Sequence, residues 1–123
     1  MKQERSPSSS APEKISLEQT DSFSREGFDG HVYIEKEAAL GFNALLIDVH
    51  GRHPRKRMID TTRTYFVVDG SGTFDLNGQV TEVKKGDFVV IPAGSEYEYQ
   101  GQMQLFEVNI SATNTFQDER LEP

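Results

Sequence analysis

The dipeptide Asn77-Gly78 is the feature that most constrains this chain, because it sits between two short runs, residues 73–76 (TFDL) and 79–83 (QVTEV), of alternating character. Asn-Gly tolerates the positive φ angles of a tight type I′ turn, so the two runs read as a β-hairpin. The same grammar extends in both directions. Residues 43–50 (NALLIDVH) and 64–68 (TYFVV) are β-type runs, the second rich in β-branched and aromatic residues that suit a pleated surface. Asp69-Gly70 and Ser71-Gly72 read as a break and a turn. Lys85-Gly86 turns the chain into residues 87–91 (DFVVI), and Pro92-Ala93-Gly94 turns it into 96–100 (EYEYQ). Residues 103–110 (MQLFEVNI) close the series. No sustained 3.6-residue apolar period appears beyond a weak stretch at 35–40. Short strands at regular spacing with glycine turns predict an all-β sandwich or barrel.

The chain has 123 residues, the size of one domain. Residues 1–26 hold seven serines and two prolines, with Ile15, Leu17 and Phe23 as the apolar anchors. They predict a polar, flexible tail, or an added strand at Ile15–Leu17. The body is 27–110, and 111–123 reads as a second polar tail. With no cysteine, a disulfide scaffold, a thiolate nucleophile and a cysteine zinc site are excluded. A net charge of −7 argues against nonspecific nucleic-acid or anionic-membrane binding. No apolar run reaches the roughly 18 residues of a membrane helix, and the first residues lack a signal-type apolar stretch. The expectation is a cytoplasmic protein.

The spacing Gly86-x5-Pro92-x-Gly94-x2-Tyr97 resembles the second motif of the cupin family, whose usual residue at the place of Tyr97 is histidine. The segment Tyr65-Phe66-Val67-Val68-Asp69-Gly70-Ser71-Gly72 resembles the end of the first motif, and 15 residues separate Gly70 from Gly86. The resemblance covers about residues 41–110. It implies a jelly-roll β-barrel of two antiparallel sheets, often a homodimer, with a ligand pocket inside. It also implies a metal site of two histidines and a glutamate from the first motif and a histidine from the second. Here the glutamate position falls on Arg63. The histidine positions fall near Arg57 and Ile59, or on Lys56 and Met58 if the loop is one residue longer, and the last falls on Tyr97. Arginine has no lone pair for a cation. The expectation is a cupin with no metal and no cofactor.

Five Lys/Arg lie within twelve residues, Arg52, Arg55, Lys56, Arg57 and Arg63, although the 27–110 body holds eight Lys/Arg against twelve Asp/Glu. In the cupin register Arg57 and Arg63 point into the barrel mouth. Arginine's fork suits a carboxylate or phosphate, so they become candidates for binding a small anionic ligand. The alternative is a solvated loop, with Arg63 paired to an internal acid such as Glu107. Strand alternation puts Arg63, Tyr65 and Val67 on one face of their strand, and Tyr97 and Tyr99 together on one face of a second strand; if Arg63 faces inward, Tyr65 does too, and the motif match brings Tyr97 to join them. Tyr65, Tyr97 and Tyr99 complete the candidate ligand set. Tyr97, beside an arginine, is a candidate acid or base with a lowered pKa. His50 and His53 are candidate general bases. Their H-x2-H spacing is a weak metal signal that Arg52 and Arg55 oppose.

Three functions remain open. The first is a metal-independent binder of a small anionic organic ligand. The second is a metal-independent isomerase, epimerase or lyase acting on a sugar or carboxylic acid. The third is a structural dimerisation module.

Overall fold

The computed structural model describes residues 11–123; the first ten residues of the predicted tail lie outside them. Nine strands follow in order: β1 (Asp21–Arg25), β2 (Phe28–Ile34), β3 (Phe42–Val49), β4 (Arg52–Met58), β5 (Thr62–Leu76), β6 (Gln79–Lys84), β7 (Phe88–Ile91), β8 (Glu96–Ile110) and β9 (Asp118–Arg120). The only helical elements among the described residues are two single 3₁₀ turns, Leu17–Gln19 and Lys36–Ala38. No helix among them is long and apolar enough to cross a membrane.

Every strand pairing is antiparallel, and β5 and β8, fifteen residues each, organise all of them. The first half of β5 pairs with β7 and with the second half of β8, which carries β3, β2 and β1 beyond it. The second half of β5 pairs with β6 and with the first half of β8, which carries β4 and β9. Two sheets thus share two long strands that bend from one into the other, as jelly-roll corners do.

That bend corrects the reading of Gly70-Ser71-Gly72 as a turn. The segment stays in β5, with Gly72 directly opposite Gly101 of β8. A Cβ on Gly72 would lie 2.3 Å from the Gln100 carbonyl oxygen, and one on Gly101 2.6 Å from the Gly72 Cα. The glycines let two backbones approach while both strands fold over the corner. The Asn77-Gly78 hairpin forms as read, with both residues at positive φ.

The ladder also runs past the 27–110 body at both ends. Within the N-terminal segment, residues 21–25 pair with β2, because Phe23 packs on Phe28 and fills the space above Gly30. Ile15 and Ser16 precede a 3₁₀ turn that takes in Leu17, so they add no strand. At the other end Asp60 accepts a hydrogen bond from the Gln117 backbone (2.6 Å) and brings the chain back to lay β9 on β4.

The core lies between the two sheets. Ile47, Met58, Tyr65, Val67, Phe74, Ile91, Tyr97 and Leu105 are fully buried in it. The outer face of the first sheet is apolar too. Leu46, Phe106, Phe66 and Phe88 stand opposite one another across β3, β8, β5 and β7, and Phe88 is 61% exposed.

Candidate functional site

The barrel interior is closed by aromatic rings and opens at one end. Tyr65, Phe74, Tyr97 and Tyr99 pack against each other with centroids 5.1–6.3 Å apart. His53 of β4 caps this group. Its ring stacks on Tyr99 at 4.6 Å and on Tyr97 at 5.3 Å, and touches Phe28 at 5.1 Å. Beyond His53 lies a cavity of about 760 Å³. Its walls are the β1–β2 turn (Arg25 to Phe28), the segment from His50 to Pro54 with Lys56, and the C-terminal Arg120, Glu122 and Pro123. Gly27 makes the first wall possible: a Cβ there would meet the Arg52 carbonyl oxygen at 2.2 Å.

His53 is 4% exposed. Its Nδ1 lies 2.7 Å from the Pro54 carbonyl oxygen, which can only accept, so Nδ1 carries the proton. Nε2 keeps its lone pair and bonds to no described residue. Burial, with Arg63 and Lys56 nearby, pushes the His53 pKa down to about 3. The ring is neutral at physiological pH.

Under His53 runs a chain of polar contacts. Arg63 Nη1 donates to Tyr97 Oη (2.7 Å), Nε to Asn109 Oδ1 (2.6 Å) and Nη2 to Asp118 Oδ2 (3.1 Å). Glu107 Oε2 stands 3.5 Å from Arg63 Nε and accepts from Asn109 Nδ2 at 2.7 Å. Tyr97 and Tyr65 share a hydrogen bond of 2.8 Å. The Tyr99 hydroxyl is buried with no hydrogen-bond partner among the described residues. Burial raises all three tyrosine pKa values. Tyr97 reaches about 12 although Arg63 pulls it down, so the expectation of a lowered pKa is corrected.

The structure redistributes the sequence candidates. Lys56 stands opposite Tyr97 across the β4–β8 ladder and Arg57 opposite Glu96; directly opposed residues share a face. Since Tyr97 faces inward, so does Lys56, with Met58 buried two residues on, whereas Arg57 faces outward. A register shift between His53 and Lys56, beside Pro54, sets this phase. Arg57 ties Glu96 (2.6 Å) to Glu119 (2.8 Å) on the outside, and its placement in the barrel mouth is corrected. Arg63 and Tyr65 face inward as read, but Arg63, Tyr65, Tyr97 and Tyr99 form the layer beneath the cavity, not its wall. His50 does line it, with Nε2 3.4 Å from Asp29. Sequence reasoning missed Arg25, Phe28, Arg120 and Glu122. The Glu26-Gly27 pair was a turn signal for the first two; nothing local marked the last two.

Of the residues that the sequence resemblance puts at the metal positions, Lys56 and Met58 are the β4 pair that faces inward, and together with Arg63 and Tyr97 they do not fit a divalent cation. Two are cations, one is a thioether, and the Tyr97 oxygen already accepts from Arg63. Among the described residues no group of three or more acidic or histidine side chains is disposed to hold a metal.

A curled jelly-roll of two sheets with a small-molecule-sized opening at one end defines the cupin class. The family model for the cupin domain matches residues 46–106, about half the chain, and the protein belongs to that family. Streptomyces Pac13, described as a unique nucleoside dehydratase, is a structural neighbour with a TM-score of 0.79 at 21–22% identity, covering 91% of this chain and 92% of that one. It has been solved with uridine in variants that replace a histidine by glutamine or either of two tyrosines by phenylalanine. Ectoine synthase from P. lautus (TM-score 0.72, 10% identity, 90% of this chain and 91% of that one) has the same fold. So does the Schizosaccharomyces pombe Cnp3 cupin domain (TM-score 0.68, 16%, 81% and 74%). No curated protein matches in sequence.

Proposed function

We propose that the protein is a metal-independent cupin enzyme, a lyase or isomerase that takes a small polyhydroxylated organic substrate into the 760 Å³ cavity and moves a proton with His53. The observation that carries this is the His53 Nε2 lone pair, free of any described partner, on a ring locked by Pro54 and by stacking on Tyr97 and Tyr99. A base must be fixed in orientation and reachable by substrate; the His53 ring is held in place and belongs to the cavity wall. In a dehydration, Nε2 takes the proton from a carbon next to a carbonyl. The electron pair forms the enolate, which Lys56 on the cavity wall stabilises. The enolate then expels a hydroxide from the adjacent carbon, and that hydroxide leaves as water with the proton returned by His53. The likeness in fold to a nucleoside dehydratase supports this reaction class.

A second reading, binding without turnover, has one observation in its favour. A histidine whose pKa is pushed to about 3 is a weak base. One experiment separates the two. Galactose and galacturonate are incubated with protein in D₂O and followed by proton NMR. A base at His53 exchanges the proton next to the carbonyl of at least one probe, and His53→Gln abolishes the exchange while the probe still binds. Binding without exchange by wild type establishes the binder.

The reading includes a cytoplasmic homodimer. The apolar row of Phe66, Phe106 and Phe88 supports the dimer, since exposed faces of this kind mark interfaces. A net charge of −7 supports partners other than nucleic acid.

A further inference from the structure

His53 presents a conflict of access. It lines the cavity, yet the residue is 4% exposed. Tyr97 and Tyr99 stack on its ring, Phe28 packs beside it, and Nδ1 is bonded to Pro54. Nε2 has no partner among the described residues, and the one buried polar side-chain atom left unpartnered among them is the Tyr99 hydroxyl. Nε2 therefore still touches solvent, but through an opening suited to water rather than to a sugar-sized molecule. A base acts within hydrogen-bond reach of the proton it takes. Some part of the cavity wall has to move before substrate meets Nε2.

Three segments make that wall, and they are held very differently. The β1–β2 turn is tied to the core: Phe28 contacts His53 and Tyr99, Phe23 closes on Phe28, and the Gly27 carbonyl accepts from the His50 N–H (2.9 Å). The stretch from His50 to Lys56 is β4 and its lead-in, paired with β8. The third segment, 118–123, has no such support. β9 is the edge of its sheet and pairs with β4 alone. None of the segment's side chains belongs to the hydrophobic core or packs on it, and Leu121 is 36% exposed. Its outer ties are Glu119 to Arg57 (2.8 Å) and Glu122 to Arg52 (2.7 Å), surface ion pairs that contribute little in water. Backbone bonds join Leu121 N–H to the Arg55 carbonyl (2.9 Å) and Arg55 N–H to Glu122 (3.1 Å). The inner tie is Asp118 to Arg63 (3.1 Å) and Lys56 (3.4 Å). Arg63 keeps Tyr97, Asn109 and Glu107 when Asp118 leaves. Just before the segment, Gln117 is pinned at both backbone groups: its N–H donates to Asp60 (2.6 Å) and its carbonyl accepts from the Ile59 N–H (3.0 Å).

We infer that residues 118–123 form a strap that pivots at Gln117: laid on β4 it shields His53, and released it lets substrate reach Nε2. Segments held by few apolar contacts and by exposed bonds open locally while the core stays intact. The strap regulates the proposed substrate site and takes its purpose from that reading, but its motion is measurable without a substrate.

Diethyl pyrocarbonate, which acylates an accessible imidazole nitrogen, reports that motion, and peptide mass spectrometry separates His53 from His31 and His50. The chain has no cysteine, and Arg57 stands directly opposite Glu119 on the outer side of the β4–β9 ladder. Arg57→Cys/Glu119→Cys is therefore placed to form a cross-strand disulfide that locks the strap. Arg57→Ser/Glu119→Ser removes the same ion pair without the lock. His53 is expected to react at least tenfold more slowly in the oxidised cysteine variant than in the serine variant, with His31 equal in both. Wild type gives a second measurement that needs no variant: the Leu121 amide should exchange with D₂O at least a hundredfold faster than the amide of Leu105, buried in β8. Equal His53 rates in the two variants, no reaction of His53 in the serine variant, or a Leu121 amide as slow as Leu105 overturns the strap. The role of His53 as a base is read separately, from deuterium exchange into galactose and galacturonate, and fails or stands on that result.

Discussion

Acidification should destabilise this protein well above the range where carboxylates titrate, and His53 is the reason. Its pKa falls from 6.5 to about 3 on folding, chiefly through burial and secondarily through Arg63 and Lys56. A depressed pKa means that the unfolded chain binds a proton below pH 6.5 that the folded chain refuses. Stability is then complete above that pH and is lost as pH falls toward 3. At pH 5 the unfolded state is favoured by about 1.5 pH units of proton binding, or about 2 kcal/mol at 1.36 kcal/mol per unit. For a chain of this size that is a fall of roughly 6–8 °C in melting temperature. Circular dichroism melts between pH 7.5 and 5 read it directly. His53→Gln keeps the size and a hydrogen-bonding end but does not titrate, so its profile should be flat across this window. If the wild type and His53→Gln profiles are parallel, or if the His53 ring titrates near pH 6.5 by NMR, the account of a buried, neutral ring is wrong.

Three further outcomes follow from named contacts. Tyr97→Phe removes the acceptor of a buried arginine proton and should cost about 2–3 kcal/mol in urea unfolding, whereas Tyr65→Phe loses one neutral bond worth about 1 kcal/mol; equal costs would deny the Arg63–Tyr97 link. Gly101→Ala drives a Cβ into the Gly72 backbone where both long strands bend, and should give insoluble protein or a loss of more than about 3 kcal/mol; a normally folded variant would refute the corner as described. Phe88→Lys places a charge in the outer apolar row and should convert a dimer to a monomer in sedimentation velocity without changing probe binding; a dimer that persists puts the interface elsewhere.

The barrel was legible because turns have local chemistry. Asn77-Gly78, Lys85-Gly86 and Pro92-Ala93-Gly94 each announce a reversal within three residues, and alternation placed Arg63, Tyr65 and Val67 on the inner face correctly. Gly70 and Gly72 misled for a physical reason: a glycine permits either a turn or a close approach, and the partner Gly101 is 29 residues away. The phase of β4 was equally hidden. One extra residue beside Pro54 exchanges Arg57 for Lys56 inside the barrel, and a period of two gives no warning of a one-residue slip. The cavity walls were hardest to read. Arg25 and Arg120 sit in polar segments whose composition resembles tails, and only the β2 and β4 edges that receive them give those segments a place.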